Sequence, residues 1–399
     1  MPNITHRIFI FQKFNKELRE IYISHAIRRF AVAMICIFEP IYLFLYFQKR
    51  IWPIFVYFGI VSLMYGLLVP LGAKLMTKIG LKKAMIWSVP IQFFYYLALW
   101  QISSSFFILL GAIILRILFA VFYWPAYHTD IARFSKKELR GEQIGISSVI
   151  YNLASVVGPI IGGFLVFKLG FSILFTIVLI ILLLSIIPLL FSGEIHEVYY
   201  DSYKQAFQKI VSKRRIKDTL AFASFGIDVG ISMFVWPVFL FILAINYETI
   251  GIVTSFSLLL NLIFIFCIGR IVDQADRKRL LSIGSTFTAF AWFLKSLVKG
   301  PLDAFLVYTF YRFASTSSDI PFRTIMYDEA SRDPEGIDRF IVFREMSHNL
   351  GRAIIFFLLA VAFMFLPETK LYLTFLLAGG FALFFMLLGH REIKKSKTL

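Results

Sequence analysis

The sequence predicts an all-α membrane protein whose twelve transmembrane helices form two pseudo-symmetric six-helix bundles. Composition, the spacing of long apolar runs and a repeat with a nearly constant offset support this prediction. Hydrophobic residues make up 59% of the 399-residue chain and charged residues 16%, and the mean hydropathy is +0.78. A soluble domain carries about a quarter charged residues. Most of this chain is therefore expected to lie in lipid.

Twelve apolar runs are long enough for transmembrane helices, which need about 20 mostly apolar residues each. They are too long for strands and lack the alternation of a half-buried strand. The runs cover residues 30–47, 51–73, 84–102, 106–127, 143–167, 171–191, 219–245, 249–269, 280–298, 302–322, 340–366 and 370–389. Residues 15–29 are expected to form a short interfacial helix that leads into the first run.

Basic residues fall mainly in the even-numbered gaps between these runs. The sixth gap alone contains Lys204, Lys209, Lys213, Arg214, Arg215 and Lys217, whereas all odd-numbered gaps together contain only Lys49, Arg50, Lys168, Lys299 and Lys370. The positive-inside rule therefore predicts that both termini and every even-numbered gap are cytoplasmic, in the plasma or inner membrane of the cell. The same bias accounts for the net charge of +17, so no nucleic-acid partner is expected.

The longest gap has an amphipathic middle and is expected to join the two halves. We therefore predict an N-terminal six-helix bundle at 1–191, a cytoplasmic linker at 192–218 and a C-terminal six-helix bundle at 219–399. Cys36 and Cys267 both lie inside apolar runs, which indicates packing positions and gives no disulfide framework. No metal site and no cofactor are expected.

Several residues recur at an offset of 196 or 197. Glu39-Pro40 is matched by Trp236-Pro237, and Arg116 with Pro125 nine residues on is matched by Arg312 with Pro321. Because each half crosses the membrane six times, the two copies have the same orientation. They are then related by an axis along the membrane normal, with a binding site expected between them near the midplane.

Two loops carry a family resemblance. The loop from Gly269 to Arg279 resembles the glycine–aspartate–basic signature loop of the major facilitator superfamily. Its first-half counterpart at 73–83 has Thr77 in place of the aspartate. In the second copy, Asp273 is expected to accept from a helix N-terminus or to pair with Arg277 as a conformational latch. A solvated topogenic loop is the alternative, and it is favoured for the first copy. In the first copy, the candidate gating residues are Lys78, Gly80 and Lys82.

Two helices extend the resemblance over nearly the whole chain. Arg116, followed by Tyr123-Trp124-Pro125, resembles the fourth-helix motif of that superfamily. Gly145, Ala154, Gly158, Pro159, Gly162 and Gly163 are similar to its fifth-helix antiporter motif. Glycines allow close helix approach and a proline removes one backbone hydrogen bond. A gating role and ordinary small-residue packing both remain open for these positions.

Ionisable residues inside a span are costly and usually face a cavity or a partner. Glu39 and Arg116 each lie about 15 Å into their helices, near the midplane, and Tyr42 and Tyr46 share the helical face of Glu39. Glu39 can carry the coupling proton, with Arg116 modulating its protonation. A permanent Glu39–Arg116 pair that braces two helices is the competing interpretation.

The second half and the cytoplasmic ends supply the other candidates. Arg312 is expected to contact an anionic or polar substrate group, with Asp319 on the same helical face. Asp228 is a weaker candidate, because the repeat aligns it with Ala31 near the cytoplasmic end. His128 and Asp130 close the fourth run and Arg344 and Glu345 open the eleventh, so they are interpreted as gate or interface pairs.

The residues and the resemblance together predict a proton-coupled secondary transporter of a small organic solute, working as a monomer in the lipid bilayer. The fifth-helix motif favours export by antiport. A nutrient-uptake symporter or uniporter and a non-transporting membrane sensor are the alternatives. An enzyme is not expected, since no span contains a zinc-ligand pair, a nucleophile elbow or a serine–lysine dyad.

Overall fold

The computed structural model describes residues 16–134, 140–190, 199, 201–274, 276–333 and 336–388, and within them the regular structure is helical throughout. The helices of the first half are α1 (Lys16–Ile35) and α2 (Glu39–Tyr46) in span 1, α3 (Trp52–Ile79) in span 2, α4 (Leu81–Trp100) in span 3, α5 (Phe106–Phe134) in span 4, and α6 (Arg140–Leu184) with α7 (Ile186–Leu189) in spans 5 and 6.

The linker helix is α8 (Tyr203–Val211). The helices of the second half are α9 (Ile216–Gly230) and α10 (Trp236–Ile242) in span 7, α11 (Tyr247–Gln274) in span 8, α12 (Arg277–Lys295) in span 9, α13 (Pro301–Arg332) in span 10, α14 (Ile337–Phe363) in span 11, and α15 (Leu373–Ala382) with a 3₁₀ turn at Leu383–Leu387 in span 12.

The twelve predicted spans are confirmed. Eight segments of the described chain are long and apolar enough to cross a membrane, and one of them, Asn152–Pro188, contains both span 5 and span 6. Gly170 separates these two spans with a φ of +81°, and Gly80 separates spans 2 and 3 with a φ of +88°. Glycine adopts this left-handed region without the steric cost that a Cβ brings.

The beginning of the chain differs from the prediction. Residues 16–29 do not form a separate interfacial helix, because α1 continues without a break to Ile35. Ser24 and Arg28 are buried, and they hydrogen-bond to the carbonyl of Ser185 and to Gln92. These polar contacts inside the bundle hold the helix in line with span 1.

The linker contains the amphipathic helix that the sequence predicts. Ser202 begins α8 with a capping box, in which its hydroxyl accepts from the Gln205 N–H and the Gln205 side chain accepts from the Ser202 N–H. Two orphan donors at the helix start are thereby satisfied. Asp201, just before the cap, pairs with Lys209 of α8 and with Arg339 of span 11.

The packing of the spans repeats between the two halves. Span 1 packs on span 5 as span 7 packs on span 11, and span 3 packs on span 4 as span 9 packs on span 10. The halves meet where span 2 packs on span 11 and where span 5 packs on span 8. A shift of six spans interchanges these last two pairs, which is the pseudo-symmetry that the sequence repeat predicts. We call the contact between the halves the seam.

The halves touch at both ends of the seam. At the end with the odd-numbered gaps, the ring centre of Phe44 in span 1 lies 6.4 Å from that of Phe241 in span 7. The ring centre of Phe55 in span 2 lies 5.6 Å from that of Phe363 in span 11. At the opposite end, Tyr65 of span 2 donates to Glu345 of span 11. This conformation therefore has contacts across the seam on both sides of its centre.

Candidate functional site

A buried ion pair lies at the centre of the N-terminal half. Glu39, the first residue of α2, is 3% exposed. Its Oε1 lies 2.5 Å from Nη1 of Arg116 on span 4, and it also accepts from the Tyr95 hydroxyl of span 3 at 2.9 Å. The Tyr95 oxygen in turn accepts from Arg116 at 2.6 Å and from the Tyr57 hydroxyl at 3.3 Å. Spans 1 to 4 thus contribute one residue each to a single hydrogen-bonded group, which we call the Glu39 cluster.

The Glu39 cluster borders the seam. The guanidinium of Arg116 lies 5.2 Å from the ring centre of Phe58 and 5.6 Å from that of Phe234. These two rings, one from each half, stack on each other at 3.6 Å. Phe234 belongs to a π-helical segment, Ile231–Val235, just before Pro237. Such segments are rare and occur frequently at functional sites. The Glu39 cluster of the first half and the π-helical segment of the second half therefore meet at the Phe58–Phe234 stack.

Two predicted members lie elsewhere. Tyr42 packs on Phe171 and Phe175 at 4.9 and 5.3 Å, and its hydroxyl donates to the Trp100 carbonyl at 3.4 Å. The Tyr46 ring packs on Phe47. All three residues belong to α2, but Glu39 bonds to spans 3 and 4, whereas Tyr42 and Tyr46 contact other aromatic side chains.

The C-terminal half contains a second buried group. Asp228 on span 7 accepts from the Trp292 indole at 2.5 Å and from the Tyr311 hydroxyl at 3.3 Å. Asp228 lies 12 residues into the Ile216–Ile242 span, and Trp292 is the repeat partner of Tyr95. Asp228 therefore lies well inside an apolar span, among buried aromatic side chains.

Beside Asp228 lies Lys295, the last residue of α12, which is 0% exposed. Four aromatic rings surround its ammonium group, with centres between 3.3 and 5.3 Å from Nζ: those of Trp236, Trp292, Tyr308 and Tyr311. We call Asp228, Lys295 and these rings the Lys295 cluster. Arg312 is partly buried next to Tyr311, while Asp319 pairs with Arg323 one turn further on, at 2.7 Å.

The predicted gate residues do meet across the seam. His128 of span 4 bonds through Nδ1 to the Tyr327 hydroxyl of span 10 at 2.9 Å, and its Nε2 lies 3.5 Å from Glu345 of span 11. Arg344 also contacts both His128 and Glu345. All four side chains are buried. The side chain of Asp130 lies outside the described part of the chain.

The second signature loop leads into α12, and the side chain of the predicted latch, Asp273, lies outside the described residues. Asp276 caps α12, with its side chain accepting from the N–H groups of Lys278 and Arg279. Arg277 pairs with Asp328 of span 10 at 2.5 Å, and the side chain of Cys267 also lies outside the described residues. In the first copy Lys78 is exposed and Lys82 partly exposed, on either side of the Gly80 turn.

The span 5 glycines mark two close helix contacts. A Cβ on Gly158 would lie 2.5 Å from Ala33 Cβ, and one on Gly162 would lie 2.0 Å from the Met34 carbonyl oxygen, both in span 1. A Cβ on Gly163 would lie 2.6 Å from the Tyr247 carbonyl oxygen in span 8, across the seam. Pro159 lies between these contacts. Within the described part of α6, Gly170 is the residue with non-helical dihedral angles, so the helix continues through Pro159.

Sequence reasoning missed Tyr57, Tyr95, Phe234 and Lys295. The repeat contained a signal for Tyr95, because it aligns with Trp292 at the offset of 197. Lys295 also gave a signal, since it is an ionisable residue inside the apolar run 280–298. In the described residues, no group of three or more His, Cys, Asp or Glu side chains is arranged to hold a metal ion.

Known proteins resemble the chain in sequence and in fold. The uncharacterized protein YqgE of Bacillus subtilis strain 168 is 24% identical over 256 residues, which are 61% of this chain and 59% of that relative. The crystal structure of the human organic anion transporter MFSD10 (TETRAN) matches 93% of this chain and 99% of its own, with a TM-score of 0.69 and 12% identity. The latter likeness concerns the fold alone.

The sequence profile of the Major Facilitator Superfamily matches residues 21–220, half of the chain. The profile ends just after the linker helix, and the packing pattern of the first six spans recurs in the second six. The chain is therefore a multi-pass membrane protein that belongs to the Major Facilitator Superfamily.

Proposed function

We propose that this protein exports a small organic solute by proton-coupled alternating access, with Glu39 as the proton carrier. Membership of the superfamily supports a secondary transporter. The observation that supports proton coupling is Glu39, a carboxylate that is 3% exposed inside a span, because intramembrane carboxylates mark proton relays and ion pathways. We further propose that both termini are cytoplasmic, that the protein lies in the cell membrane, and that it works as a monomer.

Protonation of Glu39 would change the chemistry of the seam. The carboxylate now neutralises Arg116 at 2.5 Å. A proton on Glu39 removes that charge and leaves a partly buried guanidinium without its counter-ion, which is an unfavourable state. Arg116 lies against the Phe58–Phe234 stack, so separation of the rings would admit water or solute to it. Protonation and opening of the seam would therefore favour each other.

The contacts at the end with the even-numbered gaps would act as the cytoplasmic gate. Tyr65 and His128 of the first half bond there to Glu345 and Tyr327 of the second half. A rocking motion that opens this end has to break these bonds. On the opposite side, Phe44 would have to separate from Phe241.

One feature supports an exporter: the span 5 motif resembles that of antiporters. Its glycines also hold span 5 against span 1 on one side and against span 8 on the other. This arrangement would let span 5 pass movement of the seam to the helix that carries Glu39. A direction of pH-driven flux that moves solute inward would instead identify an uptake symporter, and a solute-dependent change without flux would identify a sensor.

The test uses proteoliposomes and a solute first identified by thermal stabilisation of the purified protein. We expect an imposed pH gradient to drive accumulation by the natural protein, and Glu39→Gln to abolish it while keeping solute exchange. Glu368→Gln, the same change in the short 3₁₀ helix Glu368–Lys370 before α15, is the matched control and should behave like the natural protein. Undiminished accumulation by Glu39→Gln would reject Glu39 as the carrier.

A further inference from the structure

The Lys295 cluster and the neighbouring Arg312 contain hydrogen-bond donors that have no acceptor. In the described part of the chain, Nζ of Lys295, Nε1 of Trp236 and Nε of Arg312 are buried and make no hydrogen bond. The aromatic rings around Lys295 stabilise its charge through their faces but are not strong acceptors for its N–H groups. A buried donor without an acceptor is rare in native proteins.

The residues that carry the three donors all lie near Tyr308. Lys295 Nζ is 4.6 Å from the Trp236 ring centre and 5.3 Å from that of Tyr308. The Trp236 and Tyr308 rings stack at 5.7 Å, and the Tyr308 hydroxyl interacts with the side chain of Arg312, one helical turn on. The charges of Arg312 and Lys295 also interact. The donors thus belong to one locality at the edge of the Lys295 cluster.

The charges of this locality do not balance. Asp228 is the carboxylate of the cluster, and both of its oxygens already accept from Trp292 and Tyr311. When Lys295 is protonated, it and Arg312 supply two positive charges against this one negative charge. A ligand that accepts hydrogen bonds and carries one negative charge would satisfy the donors and restore neutrality. A cationic ligand would add to the surplus, and Lys295 already lies against the ring faces.

We propose that Lys295, Trp236 and Arg312 bind the anionic group of a monovalent organic acid, with Trp236 and Tyr308 as an apolar wall for its body. This inference rests on the proposed function and deepens it by naming the substrate class. The site belongs to the second half, where the repeat places Trp236 in the position of Glu39. It is therefore separate from the proposed proton carrier.

The test is thermal unfolding of the purified protein with three probes that share a benzene ring and differ in charge. Benzenesulfonate is a permanent anion, benzyltrimethylammonium a permanent cation and benzyl alcohol neutral. We expect benzenesulfonate alone to raise the melting temperature in a saturable manner, because a ligand that binds only the folded state stabilises it by mass action. Trp236→Phe keeps an aromatic ring and removes the indole N–H donor, so the affinity should fall about tenfold. Trp87→Phe, at a side chain that is 60% exposed, should leave the affinity unchanged.

A change of opposite sign provides a second test. Asp228→Asn retains an oxygen that accepts a hydrogen bond and removes the negative charge, so benzenesulfonate should bind more tightly. A cation site would instead lose affinity. Should this variant not fold, Trp236→Phe alone remains decisive.

The inference is overturned if benzenesulfonate does not stabilise the protein, if the cation or the alcohol stabilises it as well as the anion does, or if Trp236→Phe has the affinity of the natural protein. Its failure differs from that of the proposed function. Loss of proton-driven accumulation in Glu39→Gln with no anion binding would reject this inference alone. Anion binding with accumulation unchanged in Glu39→Gln would reject only the role of Glu39.

Discussion

The contact between spans 1 and 5 permits a quantitative test at Gly162. A Cβ there would lie 2.0 Å from the backbone oxygen of Met34, whereas ordinary contacts begin at 3.4 Å. A backbone oxygen cannot rotate away, so Gly162→Ala has to separate the two helices by roughly the difference, 1.4 Å. Overpacking of this kind costs about 1–3 kcal/mol. The better helix propensity of alanine returns about 0.5–1 kcal/mol, which leaves a net loss of up to about 2.5 kcal/mol, with a central value near 1 kcal/mol.

Gly111 in span 4 provides the matched control. A Cβ at this position has no described heavy atom within 4 Å, and the residue lies inside α5. Gly111→Ala should therefore gain about 0.5–1 kcal/mol from helix propensity alone. The two variants should differ by about 2 kcal/mol in reversible unfolding in mixed micelles. Equal stability of Gly162→Ala and Gly111→Ala would show that spans 1 and 5 do not approach this closely.

Three further changes address the seam and a helix start. Gly163→Ala pushes against Tyr247 across the seam, so we expect faster backbone hydrogen exchange in span 8, whereas an unchanged rate would contradict the close contact. Tyr65→Phe removes the bond to buried Glu345 and should weaken closure of that end by about 1.5–3 kcal/mol, measured as faster exchange at the start of span 11. Asp276→Ala removes the cap of α12 and should cost about 1 kcal/mol of unfolding free energy, whereas Asp276→Asn should retain most of it.

The spans and the repeat could be predicted because lipid restricts both composition and backbone hydrogen bonding. The Glu39–Arg116 pair could be anticipated as well, since both residues lie at one depth within one half. Their partner Tyr95 could not be identified in this way. Tyrosines are frequent in this chain, and the rotation of each helix about its own axis decides which of them faces the pair.

Lys295 shows a different limit. A lysine at the end of a span usually extends its long side chain to the membrane surface, and Lys299 nearby is indeed exposed. Only the packing of spans 7, 9 and 10 shows that aromatic rings enclose Lys295 instead. The signature loop shows a third limit: two aspartates lie three residues apart, and the one that caps depends on the first residue of α12, which sequence patterns locate only to within a few residues.

The Glu39 and Lys295 clusters together predict the sign of coupling. A proton on Glu39 frees the charge of Arg116 and makes the seam more positive, which favours an anion in the second half. By linkage, the bound anion favours protonation of Glu39 to the same degree. An inward gradient of benzenesulfonate, which as a strong acid does not cross lipid in neutral form, should therefore acidify the interior of proteoliposomes. Trp236→Phe should reduce the acidification, and Trp87→Phe should not. This linkage opposes the antiport that the span 5 motif favours, so the experiment decides between them. Alkalinisation would instead mean that solute and proton compete, as in the antiport that the span 5 motif favours, and would reject the linkage between the anion site and Glu39.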